Sequence, residues 1–309
     1  MRWQRWVIVG VLVAFAVAVS GTFAQNRQGG RQDEKPEPKE VVFSTSDGVR
    51  IGGVYYPSKL GKDAAPVMLL HMFGRNYFDW RPLINTLREA DFAILIFDFR
   101  GHQFSTQYDR SLVPPQVAER RPLTIKQFRT ARQLRQMIQD VEAAKKFLLT
   151  RHNAGELNIA RLCIVGAEFG ATVGTLWAQY DWSFPPEGYI KMGQDAKALV
   201  LLSPVLNYRG LNIAPAVRQL QLALPFMIAY GMRDPKAKQQ AERIWRLIRP
   251  TTPGGRLSQL VPLDTKLQGT FLLDPELRFN LDKRITQFLL RIQRELVIEW
   301  EPRGDREKD

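Results

Sequence analysis

The chain has 309 residues, 45% of them hydrophobic, and its 44 Lys and Arg against 31 Asp and Glu give a formal net charge of +13. This length suits one large α/β domain or two small ones, and one large domain is the simpler interpretation. The single cysteine, Cys163, excludes an intramolecular disulfide. The positive charge is spread over short clusters with no RNA- or DNA-binding motif beside them, which argues against a nucleic-acid partner.

The first 24 residues have the pattern of a secretory signal. Arg2 and Arg5 precede an uncharged apolar run, residues 6–19, and Thr22-Phe23-Ala24 forms an A-x-A-like cleavage site. The alternative is an uncleaved membrane anchor through residues 6–24, since spanning a bilayer takes about 20 residues. Either interpretation predicts export to a periplasmic, cell-surface or secreted location, where a basic protein meets anionic envelope polymers or lipid head groups.

From residue 25 to residue 40 no large apolar side chain occurs, which predicts a flexible linker. Beyond it, a hairpin is predicted around Ser46-Asp47-Gly48. Five continuous apolar runs then predict strands buried on both faces of a parallel sheet: APVMLLHMFG, DFAILIFDFRG, RLCIVGA, KALVLLSP and LPFMIAYGMRDP. Apolar residues at helical spacing predict helices in WRPLINTLREA, in residues 131–149 and in residues 277–296.

This alternation predicts an α/β fold, a mostly parallel, doubly wound sheet of about eight strands with helices on both faces. The domain is expected to cover residues 41–297, with a small lid at about 103–129 and a charged C-terminal tail at 298–309. Ligands bind at the carboxyl ends of the strands in open sheets of this kind. The residues directly after each apolar run are therefore the candidates for function.

Four of these strand ends carry short motifs: His71-Met72-Phe73-Gly74, Asp98-Phe99-Arg100-Gly101-His102, Gly166-Ala167-Glu168-Phe169-Gly170 and Gly231-Met232-Arg233-Asp234. In order and spacing they resemble the α/β-hydrolase superfamily, in the branch of single-domain esterases, dienelactone-hydrolase-like enzymes and serine aminopeptidases. The resemblance covers roughly residues 41–296. It implies a nucleophile on a tight strand-to-helix elbow, then an acid, then a histidine along the chain.

Two catalytic positions depart from that family pattern. Glu168 stands at the nucleophile-elbow position, between the elbow glycines Gly166 and Gly170. Gln268 stands where the resemblance places the catalytic histidine, and no histidine follows residue 152. Glutamine exchanges no proton near neutral pH. The sequence therefore predicts that the Ser–His pair of the family is absent.

The resemblance also implies roles for the other motif residues. Asp234 matches the family's acid, and it equally matches the N-cap of a helix that begins at Pro235. The oxyanion-type loop consists of His71, Met72 in place of the family's glycine, Phe73 and, after the elbow, Phe169, with backbone N–H groups offered by Phe73 and Phe169. A structural loop is formed by Asp98, Arg100, Gly101 and His102.

Glu168 allows two interpretations, because an isolated buried carboxylate is costly. In the first, Arg75, Lys266 or Gln268 pairs with it and plugs the old site. In the second, Glu168 and Asp234 bind a cation or an amine-bearing ligand. No cofactor and no metal site is predicted, since two carboxylates without further ligands make a poor metal site.

Three functions remain open on the sequence. The leading hypothesis is an exported, non-catalytic pseudo-hydrolase that binds or scaffolds an unknown small-molecule or protein ligand. The second is an esterase-like hydrolase of non-standard mechanism, with Glu168 as nucleophile or base and His71 or His102 as proton carrier. The third is a basic cell-envelope structural protein whose cleft plays no part.

Overall fold

The computed structural model describes residues 35–184 and 193–303. The signal or anchor predicted for residues 1–24 lies outside the described residues, as do most of the predicted linker and residues 304–309 of the predicted tail. In the part that is described, no helix has the length and apolar character needed to cross a bilayer.

Ten strands occur in the described residues, and eight of them form one sheet. The strands are β1 (Lys39–Ser44), β2 (Arg50–Tyr56), β3 (Pro66–Leu70), β4 (Ala93–Phe97), β5 (Leu162–Ala167), β6 (Ala196–Leu202), β7 (Asn207–Tyr208), β8 (Leu211–Asn212), β9 (Phe226–Gly231) and β10 (Gln259–Leu263). The order in the large sheet is β1-β2-β4-β3-β5-β6-β9-β10. Within this sheet, only the β1-β2 and β2-β4 pairings are antiparallel. The predicted mostly parallel sheet of about eight strands is confirmed.

Helices cover both faces of this sheet. They are α1 (Arg81–Glu89), α2 (Pro115–Ala118), α3 (Ala131–Arg135), α4 (Met137–Asn153), α5 (Phe169–Asp181), α6 (Ala214–Leu220), α7 (Pro235–Trp245), α8 (Pro253–Leu257) and α9 (Leu281–Glu295). α1 and α9 pack on one face, and α4, α5 and α6 pack on the other. Successive residues of the central strands point to opposite faces, so that Met68 joins one core and Leu69 the other. This double burial explains the unbroken apolar runs in the sequence.

The centre of the sheet also holds Cys163, which is fully buried on β5 between β3 and β6. Burial raises the pKa of its thiol to about 12. The amide of Gln293, on α9, lies 3.2 Å from the sulfur. The side chain is a packed core group, as its place in the sequence predicts.

Several predicted boundaries need correction. β1 begins at Lys39, inside the predicted linker, because the backbone of Lys39 and Glu40 pairs with β2 although both side chains are exposed. The helix predicted over residues 131–149 is two helices, and at the junction the Gln136 N–H bonds to residue 133 rather than to residue 132. α9 begins at residue 281 because Arg278 and Asn280 have φ of 54° and 49°, which helical geometry excludes.

The predicted charged tail is in part a packed segment of the domain. The indole N–H of Trp300 donates to the carbonyl of His152 on α4 at 3.1 Å. Arg303 pairs with buried Asp195 at 2.8 Å. Residues 298–303 therefore belong to the domain, because their contacts with α4 and with Asp195 hold them against it.

Candidate functional site

The turn between β5 and α5 is a strained elbow with Glu168 at its apex. Glu168 has φ 45° and ψ −102°, a region that side-chain-bearing residues rarely occupy. A Cβ on Gly170 would lie 2.0 Å from the Leu70 carbonyl oxygen, and one on Gly166 would lie 2.6 Å from the backbone of α5. The two glycines thus let β5 and α5 approach closely enough to present Glu168 at the carboxyl end of the sheet.

The carboxylate of Glu168 is half-buried and unpaired. Among the described residues it has no hydrogen-bond or ion-pair partner, although its backbone N–H donates to Leu202 at 2.9 Å. Burial raises the pKa of this carboxyl, and the nearby Lys236 ammonium partly opposes the rise. The ionised form of Glu168 therefore carries a desolvation cost that is only partly compensated.

A cavity of about 360 Å³ adjoins this carboxylate. The residues that line it come from the elbow, the end of β6, the β7-β8 hairpin, α7 and the loop after β10, and include Glu168, Ser203, Tyr208, Arg209, Lys236 and Gln268. Its volume falls within the range of small-molecule sites.

Gln268 and Asp234 meet beside the cavity. The Gln268 amide donates to Asp234 Oδ2. The other oxygen of Asp234 accepts the N–H of Ala237 at 2.8 Å and caps α7. Asp234 thus makes both of the contacts that the sequence suggested, one to Gln268, which stands where the resemblance places a histidine, and one to the helix that follows it.

The predicted cationic partners of Glu168 are elsewhere. Two guanidinium nitrogens of Arg75 donate hydrogen bonds to the Asp79 carboxylate, each at 2.7 Å. Lys266 is exposed, and no contact joins it to Glu168 among the described residues. Gln268, the third predicted partner, donates to Asp234 instead. The cation that acts on Glu168 is Lys236, in the first turn of α7; its position two residues after Asp234 was the available signal.

His71 and His102 are fixed by the backbone. The Nδ1–H of His71 donates to the Met72 carbonyl at 2.7 Å, and its Nε2 accepts the Phe99 N–H at 3.0 Å. His102 Nε2 likewise accepts the Gly74 N–H at 3.0 Å. Burial lowers the pKa of His71 to about 3 and lowers that of His102 as well. Neither ring has a free nitrogen lone pair, so the expectation that one of them carries a proton for Glu168 is not met in this structure.

The oxyanion-type loop keeps its two backbone donors. Within residues 35–184 and 193–303, the N–H groups of Phe73 and Phe169 have no acceptor, and Phe169 is the first residue of α5. Their rings contact each other edge to face at 5.3 Å, so the two loops adjoin. Met72 is buried, and a Cβ on Gly269 would lie 2.1 Å from its sulfur. Met72 thus packs against the loop that carries Gln268.

The sequence alone did not single out the β7-β8 hairpin, which covers this region. The Tyr208 ring lies 5.1 Å from that of Phe169. The Arg209 guanidinium lies 5.1 Å from the Phe73 ring and 5.5 Å from the Tyr208 ring. The turn signal Asn207 to Gly210 was visible, but nothing in it indicated where the hairpin would pack.

The predicted structural loop contains a buried ion-pair cluster around Arg100. Arg100 is buried and donates to Asp47 and, at 2.7 Å, to Asp140. Asp98 accepts the Tyr77 N–H at 3.1 Å, and burial raises the pKa of its carboxyl to about 6. Gly101 has φ 80°, and a Cβ there would lie 2.9 Å from the backbone of residue 124.

The predicted lid segment, residues 103–129, lines no part of the Glu168 cavity. Leu123 and Phe128 are buried in the core on the α4 side. Asp109 accepts the Ser44 hydroxyl at 2.6 Å, which fastens the segment to β1. In the part of the chain described here, no group of three or more histidine, cysteine or acidic side chains has the arrangement of a metal site.

Comparison with solved structures gives the fold. An esterase from Pyrococcus furiosus superposes with a TM-score of 0.58 at 17% identity, over 82% of this chain and 91% of the esterase. A dienelactone hydrolase from Anabaena variabilis gives 0.59 at 14% identity, over 84% of this chain and 99% of the other. An enol-lactonase from Burkholderia xenovorans gives 0.54 at 14% identity, over 80% and 99%. No protein-family model and no curated protein sequence matches. The chain therefore has the α/β-hydrolase fold.

Proposed function

We propose that this protein is a pseudo-hydrolase, which uses the cavity beside Glu168 to bind a small ligand and does not turn it over by Ser–His chemistry. The observation that carries the proposal is the contact between Gln268 and Asp234. The Gln268 amide occupies the free oxygen of Asp234 at the position where the resemblance places a histidine. No group is then left there to activate a nucleophile or a water.

Two further observations support binding over an active carboxylate mechanism. A Glu168 nucleophile would need a base to hydrolyse its covalent intermediate. The two buried histidines near the elbow have both ring nitrogens engaged by the backbone. The Glu168 carboxylate itself stays unpaired beside an open volume, which suits recognition of a ligand.

A rebuilt triad tests this proposal most sharply. The Glu168→Ser, Gln268→His double variant adds the nucleophile and base to the elbow, the acid and the two free N–H groups already in place. We expect this variant to react with a fluorophosphonate probe, whereas the wild type and the Glu168→Ser single variant do not. The single variant is the matched control, because it has the hydroxyl without the base.

The opposite result would support the esterase-like alternative. Wild-type hydrolysis of p-nitrophenyl acetate that falls in Glu168→Gln, together with an acyl adduct on Glu168 in acid-quenched protein, would overturn the pseudo-hydrolase proposal. Equal background hydrolysis by the wild type and by Glu168→Gln supports it. Mass spectrometry of a peptide that contains residue 168 supplies the second readout.

Export and contact with anionic envelope polymers or lipid head groups are part of the proposal, and they rest on the sequence. The segment that would direct export, residues 1–24, can be tested by fractionating cells that express the full chain. Recovery of the protein in the cytoplasm with residues 1–24 intact would argue against export.

A further inference from the structure

Three unpaired charges surround the Glu168 cavity. The carboxylate of Glu168 lies on the elbow, the guanidinium of Arg209 on the β7-β8 hairpin and the ammonium of Lys236 on α7. Among the described residues none of the three makes an ion pair or a side-chain hydrogen bond. Arg100 is the opposite case, because this buried charge is matched by Asp47 and Asp140.

These charges are separated by depth. Glu168 is half-buried, whereas Arg209 and Lys236 are exposed. The Arg209 guanidinium lies over two aromatic rings, which restricts its orientation and leaves its N–H donors available. The cavity thus presents an anion inside and two cations at its rim.

Resting on the proposed binding function, we propose that the ligand is a small zwitterion whose ammonium group pairs with Glu168 and whose anionic group pairs with Arg209 and Lys236. A cation inside the cavity offsets the desolvation of the carboxylate, and it does so better than water, which has no charge. The lining charges sum to one excess positive charge, so a ligand with a carboxylate or a phosphate is complementary. A carboxylate and a phosphate can both form these ion pairs with Arg209 and Lys236.

The neutral side chains of the lining agree with a polar ligand of this kind. The lining includes four polar, uncharged side chains, Ser203, Asn207, Gln240 and Gln268. Tyr208 adds one aromatic ring. Burial raises the pKa of its hydroxyl, the Arg209 charge partly opposes that rise, and the Glu168 charge adds to it. A wholly apolar ligand would leave the charges at both ends of the cavity unpaired.

Isothermal titration of the full chain with charge-matched probes tests the proposal. Alanyl-alanine carries both charges, N-acetyl-alanyl-alanine lacks the ammonium, and alanyl-alanine amide lacks the carboxylate. We expect the dissociation constant of alanyl-alanine to be about tenfold lower than that of either blocked form. O-phosphoethanolamine distinguishes a phosphate from a carboxylate as the anionic group.

The variants assign each charge. Glu168→Gln should remove the preference for a free ammonium, and Arg209→Gln with Lys236→Gln should remove the preference for a free carboxylate. Lys238→Gln is the matched control, since this exposed lysine on α7 lies outside the lining and faces Glu242. Circular dichroism of each variant verifies that it is folded.

Equal affinities for free and blocked probes, or no binding of any zwitterion, would overturn this inference while leaving the pseudo-hydrolase proposal standing. Glu168-dependent ester hydrolysis would overturn the proposed function instead, whatever the probes bind. The two failures are therefore distinguishable.

Discussion

The Arg100 loop and the Glu168 elbow both hold a charge at the carboxyl end of a strand in the same sheet, yet they treat it in opposite ways. Arg100 follows β4 and is matched by two carboxylates. Glu168 follows β5 and has no partner among the described residues. Buried charges are tolerated when they are paired, and an unpaired one is a cost to the fold. We therefore interpret the Arg100 charge as structural and the Glu168 charge as available to a ligand.

The largest expected effect comes from removing the Arg100 charge. Arg100→Leu leaves Asp140 fully buried and without its cation, so we expect the free energy of unfolding to fall by about 3–5 kcal/mol. Urea denaturation followed by tryptophan fluorescence measures the loss. Arg233→Leu is the control, because Arg233 makes a similar fork to Asp264 in full solvent and should lose nothing measurable. Equal losses in the two variants would contradict the structural role.

A second test asks whether the elbow is rigid even though its side chain is free. Gly170→Ala pushes a Cβ against the Leu70 carbonyl at 2.0 Å, which we expect to cost about 1–3 kcal/mol. Gly174→Ala, one turn further along α5, meets side-chain atoms of Leu70 and Ile164 at 2.9 and 3.0 Å. It should cost less, because methyl groups move more easily than backbone. Thermal unfolding of both variants decides the order.

The third test uses the neutral histidine beside the structural loop. The pKa of His71 is lowered to about 3 from 6.5, so the unfolded chain binds a proton between these values and the folded chain does not. Stability from His71 is therefore lost as pH falls from 6.5 toward 3, by about 1.4 kcal/mol per pH unit. His71→Gln should show a correspondingly flatter dependence of unfolding free energy on pH. Identical slopes for the variant and the wild type would mean that His71 becomes protonated in the folded state.

In that window the carboxyl of Asp98 works against His71. Its pKa is raised to about 6, so the folded chain binds a proton that the unfolded chain lacks between about 3.8 and 6. This contribution to stability grows as pH falls, and it is present in both proteins. The difference between wild type and His71→Gln removes it to first order.

The smallest expected effect belongs to the unpaired carboxylate itself. The pKa of Glu168 is raised, so its ionised form disfavours folding once pH rises above 4.5. Glu168→Gln should therefore be more stable than the wild type at pH 7 and equally stable near pH 4. Glu276→Gln, at an exposed carboxylate, should show no such difference. A loss of stability in Glu168→Gln would mean that the carboxylate has a structural partner after all.

The sequence predicts the sheet well, because burial on both faces leaves an unmistakable apolar run at each central strand. It predicts the elbow well too, since Gly166 and Gly170 are required by backbone contacts that any sequence with this turn must satisfy. Both features leave their signal within a short stretch of sequence. The polar pairing of Lys39 and Glu40 in β1 left no such pattern.

The partners of Glu168 were the part that sequence could not supply. Arg75 follows the oxyanion-type loop in the sequence, but Asp79, four residues further along the chain, takes its guanidinium. Gln268 was predicted as one possible partner of Glu168, whereas its amide donates to Asp234. Such choices depend on side-chain distances between segments far apart in the chain, which spacing in the sequence does not encode.

The buried thiol of Cys163 can report slow local opening of the domain. A thiol-alkylating reagent can reach this sulfur only after the middle of the sheet separates from α9, and the chain has no second cysteine to compete. The alkylation rate of the unmodified protein therefore measures how often β5, the strand that leads into the elbow, opens. A ligand that stabilises the closed elbow should lower the alkylation rate of Cys163, whatever its chemistry. The rate therefore detects ligand binding without an assay for the ligand itself.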